Sequence, residues 1–256
     1  MGQTVAIVTG AGGDIGRAIA KALLEAGHAV LVSDISGPAV AATVDALKTL
    51  GTIEAITTDV TNEASVAEMA AAARKLGPIA VLVNNAGGCI DVSVNQTGLE
   101  NWRKDTALNL DAPMLCFKAV SEDLKATRGA MINIASVNGL GVYGHPAYSA
   151  AKAGMIHFTK FVAVEYGKFG VRANAVAPGT VQTGAWKARA EANPQVFEDA
   201  KRWYPLQRVA RPDDVAGAVR FLTSAEAITG VVLPVDCGLT AGQVELPRTF
   251  SQSPDF

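Results

Sequence analysis

The chain has 256 residues, a formal net charge of −2, and 49% hydrophobic against 18% charged side chains. That length suits one large α/β domain or two small ones with a buried core. The charge balance, with no basic run or aromatic–basic stripe, predicts no nucleic-acid partner, and no apolar stretch reaches the roughly 18 residues that a membrane-spanning helix needs. Three widely spaced cysteines (Cys89, Cys116, Cys237) read as reduced thiols, and the N-terminus carries no basic head or small-residue cleavage site. Together they predict a cytoplasmic protein. Its three histidines (His28, His145, His157) stand at no ligand spacing, so no metal site is expected.

In chain order, short β-branched runs alternate with alanine-rich helical patterns. The first predicted strand, TVAIVT (4–9), leads through a glycine turn into a helix over 14–27. AVLVSD (29–34), a helix over 38–50, IEAITTD (53–59), a helix over 62–76 and IAVLVNN (79–85) follow. A long helical pattern over 98–125 precedes AMINIAS (130–136), and a helix over 146–168 precedes RANAVAP (172–178). A helix over 212–223 and GVVLPVD (230–236) complete the pattern. Several strands are apolar on consecutive residues, as in a sheet covered on both faces. Strand–helix alternation with right-handed crossovers predicts a doubly wound parallel α/β sheet. No linker or repeat interrupts it, so residues 1–256 read as a single domain. Residues 183–205 form an insertion expected above the carboxyl ends of the strands. The polar tail from 243 is either disordered or folded over a neighbour.

The first turn, TGAGGDIG (9–16), carries Gly10, Gly12, Gly13 and Gly16. Glycine lets a backbone approach a phosphate closely. The helix that follows offers free N–H groups and a partial positive charge to a pyrophosphate. Asp34 ends the second strand, 18 residues after Gly16. A carboxylate there can accept from ribose hydroxyls and would repel a 2′-phosphate, which predicts NAD rather than NADP. No arginine or lysine occupies 11–15 or 35–37 to hold that phosphate. Taken alone, the turn and the acidic residue also fit a methyltransferase.

Five further stretches narrow the reading: NNAG (84–87), Asn109 in ALNLD, Ser136 in NIASVNG, YSAAK (148–152), and PGTVQT (178–183). With the glycine turn, in this order from about residue 3 to 242, they resemble the short-chain dehydrogenase/reductase family. The length matches its single-domain branch of about 250 residues. The tyrosine–lysine spacing is closer than in the enoyl-reductase-like branch. The resemblance implies a seven-stranded parallel Rossmann sheet, a nicotinamide cofactor and hydride transfer between a secondary alcohol and a ketone. It implies Tyr148 as acid/base, Lys152 as the cation lowering its pKa and holding the nicotinamide ribose, Ser136 as the hydrogen-bonding partner of the substrate oxygen, and Asn109 as the residue placing a water beside Lys152. A lysine one helical turn from a tyrosine shares its face, and its charge favours the phenolate. Two departures stand out: Asp14 and Cys237 occupy positions where the family commonly has glycine.

The expected cofactor contacts are Gly10, Gly13, Asp14, Ile15 and Gly16 in the turn, Asp34 and Ile35 after the second strand, and Asp59 and Val60 after the third. Asn85, Ala86 and Gly87 follow the fourth strand. Pro178, Gly179, Val181 and Thr183 follow the sixth, joined by Tyr148 and Lys152. Asn138, His145, Gln182 and Trp186 are the substrate candidates. Several are polar, which leans towards a small hydroxylated substrate such as a sugar or polyol, with acyl, steroid or aromatic ketones and a catalytically silent NAD(H)-sensing role as alternatives. His145 could equally cap the helix opening at Pro146, and Trp186 and Trp203 could anchor a core. The helix over 146–167 is apolar on more than one face, through Met155, Ile156, Phe158, Phe161, Val162 and Val164. That predicts a subunit contact, and the resemblance implies a homotetramer.

Overall fold

The structure is a computed structural model that describes residues 2–184, 191–242, 245–253 and 255. Seven parallel strands form one sheet: β1 (Val5–Thr9), β2 (Ala29–Asp34), β3 (Ile53–Thr57), β4 (Ile79–Asn84), β5 (Ala130–Ile134), β6 (Arg172–Pro178) and β7 (Val232–Val235). Their order is β3-β2-β1-β4-β5-β6-β7, and each lies within two residues of its expected segment. The helices are α1 (Asp14–Glu25), α2 (Gly37–Leu47), α3 (Glu63–Leu76), α4 (Leu99–Thr106), α5 (Ala112–Thr127), α6 (Pro146–Tyr166), α7 (Val196–Lys201), α8 (Pro212–Ser224) and α9 (Glu245–Ser251).

Alternate residues of each strand enter opposite layers, because successive side chains of a strand point to opposite faces. Ala6 and Val8 of β1 pack with Ile19 and Leu23 of α1, Val40 of α2, and Val215 and Val219 of α8. Val5 and Ile7 pack on the other side with Met69 of α3, Phe117 and Leu124 of α5, and Val162 of α6. Burying each such side chain stabilises by roughly 1.5–3 kcal/mol. Both faces of β1 are therefore apolar, and its sequence cannot alternate. The chain reverses its winding between β1 and β4, and the carboxyl ends of these strands open a crevice there.

Three segments differ from expectation. The helix expected over 98–125 is interrupted by a π turn, Ala107–Asp111, in which the Ala112 N–H reaches back to the Ala107 carbonyl. Pro113, with no N–H to donate, opens α5 just beyond it. The interruption falls on Asn109, and π turns inside helices are frequent at functional positions. The tail is not irregular throughout: Glu245–Ser251 is helical, with Leu246 and Phe250 exposed. In the insertion, Trp203 is no core anchor; it is exposed and its ring lies beside the Arg202 guanidinium, while Tyr204 is buried. Among the described residues no helix is long and apolar enough to cross a membrane.

Candidate active site

Two adjoining cavities lie over the carboxyl ends of the strands. The first, about 480 Å³, is lined by the glycine turn, Asp34 and Ile35 after β2, Asp59 and Val60 after β3, and Asn85, Ala86 and Gly87 after β4. The second, about 660 Å³, holds Ser136, Tyr148, Lys152, Pro178, Gly179 and Val181. Ile15, Asn85, Gly87 and Thr183 line both, so the two form one continuous crevice. Every expected cofactor contact lines one cavity or the other.

The glycine turn is built by close approach. Gly10 has a φ of +64°, and a β-carbon there would fall 2.7 Å from the Ala86 Cα. At Gly16 it would fall 2.5 Å from the Gly10 carbonyl oxygen. These glycines let the turn fold against the loop that follows β4. Asn85 secures the same junction by donating to the Thr9 and Gly10 carbonyls. A β-carbon built on Gly13, the N-cap of α1, would meet nothing of the protein closer than 3.7 Å. The first N–H groups of α1 thus face a wall with space beside it.

Asp34 is held from two sides, its Oδ2 accepting from the Gly12 N–H at 3.1 Å and its Oδ1 from the Ser36 N–H at 3.0 Å. Asp59 accepts from the Thr61 N–H and hydroxyl. Beside it, the Thr58 hydroxyl is buried without a hydrogen-bond partner and lines the first cavity. A buried polar atom left unsatisfied fits a bound group that bonds there. Asp14 bonds beyond the turn: its Oδ2 accepts from the Gly184 N–H at 2.6 Å. The side chain at this usual glycine position ties the glycine turn to the loop after β6 and brings Thr183 to the crevice. Cys237 adopts a φ of +53°, the left-handed conformation that glycine usually supplies.

Ser136 follows β5 and Tyr148 lies in the first turns of α6, and both line the second cavity. Lys152 is buried one turn further on, donating to the Ile134 carbonyl at 2.8 Å, with its Nζ 5.5 Å from the Tyr148 ring centroid. The direction of the tyrosine's pKa differs from expectation. Burial pushes Tyr148 up to about 12, against the lowering by the Ser136 side chain. Burial likewise brings Lys152 down to about 7. Desolvation disfavours both charged forms, and with the ammonium committed to a carbonyl it outweighs the attraction expected between them.

Asn109 is fully buried in the π turn. Its amide donates to the Gly88 and Asp105 carbonyls, both at 2.8 Å, and its oxygen accepts from the Gly88 N–H at 3.3 Å. A β-carbon on Gly87 would fall 2.8 Å from this oxygen and 3.3 Å from the Lys152 Nζ. NNAG therefore ends in glycine where Asn109 and Lys152 converge. The Asn109 side chain locks the loop after β4, and it lines neither cavity.

The substrate candidates divide. His145 lines the second cavity at the N-cap position of α6 but makes no side-chain cap bond, so the capping alternative does not hold. Asn138 also lines it, yet its amide donates to the Gly144 carbonyl and Ser149 hydroxyl while its oxygen accepts from Ser136. It supports the site instead of presenting a free donor. Gln182 is exposed and lines neither cavity; its N–H pairs with the Ala210 carbonyl, which turns the side chain away. Trp186 lies outside the described residues. Sequence reasoning missed Thr58 and Leu108 in the first cavity, and Cys89, Tyr143, Thr180, Tyr204 and Leu239 in the second. None belongs to a spacing that could have flagged it.

The family model described as Enoyl-(Acyl carrier protein) reductase matches residues 10–240. Meso-2,3-butanediol dehydrogenase of Serratia marcescens is 35% identical over 93% of this chain and 94% of its own. A 3-oxoacyl-[acyl-carrier-protein] reductase of Synechocystis is 40% identical over 92% and 96%. The crystal structure of an oxidoreductase of the short-chain dehydrogenase/reductase family from Burkholderia thailandensis superposes with a TM-score of 0.93, at 44% identity over the whole of both chains. This chain belongs to the short-chain dehydrogenase/reductase family. It is an oxidoreductase of an alcohol/ketone pair, and the family uses NAD(P). The glycine cradle and the orphaned Thr58 hydroxyl fit such a dinucleotide.

Proposed function

We propose that the protein is an NAD-dependent dehydrogenase that interconverts a small hydroxylated secondary alcohol and its ketone, with Tyr148 as the acid/base. The observation that carries this is that Ser136, Tyr148 and Lys152 line one cavity, which is continuous with the glycine cleft. The glycine turn and the α1 N-terminus would hold the pyrophosphate, Asp34 the adenosine ribose, and Asp59 and Val60 the adenine. The nicotinamide, when bound, accepts or delivers the hydride. In ketone reduction Ser136 donates to the carbonyl oxygen and Tyr148 gives it a proton. In alcohol oxidation the same tyrosine removes the hydroxyl proton. The butanediol dehydrogenase relative supports a small, hydroxylated substrate.

The choice of NAD rests on Asp34, whose two oxygens lie at the end of β2 with no basic side chain beside them in the cavity lining. Asp34→Ala is expected to weaken NAD⁺ by about 10-fold, the scale of one or two charge-assisted hydrogen bonds. It should also narrow the gap between NAD⁺ and NADP⁺. Initial rates of absorbance change at 340 nm with each cofactor measure both effects, and an unchanged preference would refute the assignment.

A homotetramer is part of the same proposal. Phe161 and Val164 on α6 are 61% and 85% exposed, while Met155 and Val162 of the same helix are buried. Exposed apolar side chains opposite a buried face favour association of copies. Light scattering behind size exclusion should return about four times the chain mass, and a monomer at micromolar concentration would contradict it.

A further inference from the structure

The tautomer of His145 follows from its surroundings. Its Nδ1 lies 3.0 Å from the Asp91 carbonyl oxygen. A carbonyl only accepts, so Nδ1 carries the hydrogen. In the neutral ring, Nε2 is then an acceptor, and it has no partner among the described residues. The ring lies in the wall of the second cavity, edge-on to Tyr148 with centroids 6.5 Å apart.

The placement is built from several sides. His145 adopts a left-handed φ of +56°, uncommon for a non-glycine residue. Its N–H donates to the Val92 carbonyl at 2.9 Å, and its ring to the Asp91 carbonyl, so the 88–92 segment holds it twice. That segment is itself anchored by the buried carboxylate of Asp105, which accepts from the Ile90 N–H at 3.3 Å. Burial raises the Asp105 carboxyl above its usual range.

The remaining wall limits the ligand. Asn138 has both amide hydrogens engaged within the protein. No arginine or lysine other than Lys152 lines the second cavity among the described residues, and Lys152 is bonded to Ile134. Among the described residues, a carboxylate or phosphate would find no free counter-charge there. An uncharged hydroxyl beside the reacting oxygen would find an acceptor.

We infer that His145 is a specificity-determining residue that accepts a hydrogen bond from a second hydroxyl on the carbon next to the reacting one, so that the substrate is an uncharged vicinal diol and the product its α-hydroxyketone. This deepens the proposed dehydrogenase reading and rests on it. The carbinol carbon loses its hydride to the oxidised nicotinamide, and its hydroxyl proton passes to Tyr148. That carbon–oxygen bond becomes a carbonyl, NAD⁺ is reduced, and the neighbouring hydroxyl stays intact on Nε2. The His145 and Tyr148 rings, with centroids 6.5 Å apart, both line this cavity, so one short substrate can meet both.

The test compares 2,3-butanediol with 2-butanol, which differ by one hydroxyl, at saturating NAD⁺. The wild-type protein should favour the diol in kcat/KM by about 10-fold or more, the scale of one well-placed hydrogen bond that would otherwise leave a desolvated acceptor. His145→Asn tolerates the left-handed backbone but is too short to reach, and should reduce the diol-to-alcohol ratio about 10-fold, chiefly through KM for the diol. His145→Gln, with a longer amide, should restore part of it. Unchanged NADH fluorescence titration and melting temperature establish that the variants fold. A ratio that His145→Asn leaves unmoved, while both alcohols turn over, overturns the inference and leaves the dehydrogenase reading standing. No turnover of either alcohol by the wild-type protein refutes the inference together with the substrate range on which it rests. Retained NADH binding would then confine the failure to the substrate, and lost binding would extend it to the dehydrogenase.

Discussion

Tyr148→Phe is expected to lower kcat by about 10³- to 10⁴-fold, the upper range for loss of a positioned acid/base, while NADH binding persists. The substitution removes one oxygen and keeps the ring in place against His145 and Lys152. Ser136 retains its bonds to Asn138, so the cavity should not collapse. The pH dependence separates this role from a structural one. With its pKa pushed up to about 12, Tyr148 is a phenol across the neutral range. It is therefore always ready to donate, and ketone reduction should be flat between about pH 6 and 8. Alcohol oxidation needs the phenolate, whose fraction grows about tenfold per pH unit below the apparent pKa of the loaded site. The oxidation rate should rise with that slope, and Tyr148→Phe should abolish the slope as well as the rate. Near-normal turnover in the variant, or a residual rate with an unchanged pH profile, would assign the chemistry elsewhere.

Lys152→Met is expected to stabilise the fold while abolishing most turnover. The lysine is fully enclosed, and burial alone brings its pKa down to about 7, against roughly 10.4 in an unfolded chain. Between those values the unfolded state holds a proton that the folded state lacks, so stability rises with pH through this window. Below about pH 7 both states are protonated, and the folded protein carries the whole cost of a buried ammonium. Methionine has similar length and no charge, but it leaves the Ile134 carbonyl without its donor, which offsets part of the gain. A net increase of about 2 kcal/mol would raise the melting temperature by roughly 4–8 °C near pH 6.5. The difference between variant and wild type should shrink as the pH approaches 10. A Lys152→Met protein less stable than wild type at pH 6.5 would mean that the lysine's contacts outweigh its desolvation. Turnover should fall by about 10²-fold or more below pH 7, where the protonated lysine beside the phenol would otherwise favour the phenolate.

Much of this molecule is local in sequence. The seven strands were legible because a strand covered on both faces must be apolar on consecutive residues, and each is bounded by turn residues within a few positions. TGAGGDIG, NNAG and YSAAK were legible because their function depends on short spacings: glycines that let two backbones touch, and a tyrosine and lysine one turn apart. The tertiary structure decided what depends on distant partners. It broke the 98–125 helix at Asn109, where the side chain bonds Gly88 across 21 positions of sequence. It turned Gln182 outward by pairing its N–H with Ala210, and it brought Cys89, Tyr143 and Tyr204 to the cavity from three separate loops. It gave Asp14 a partner 170 residues away. It also set the direction of the Tyr148 and Lys152 pKa values. Spacing places two charges near each other, but the cost of removing them from water is set by every layer packed around them, and no short stretch of sequence contains those layers.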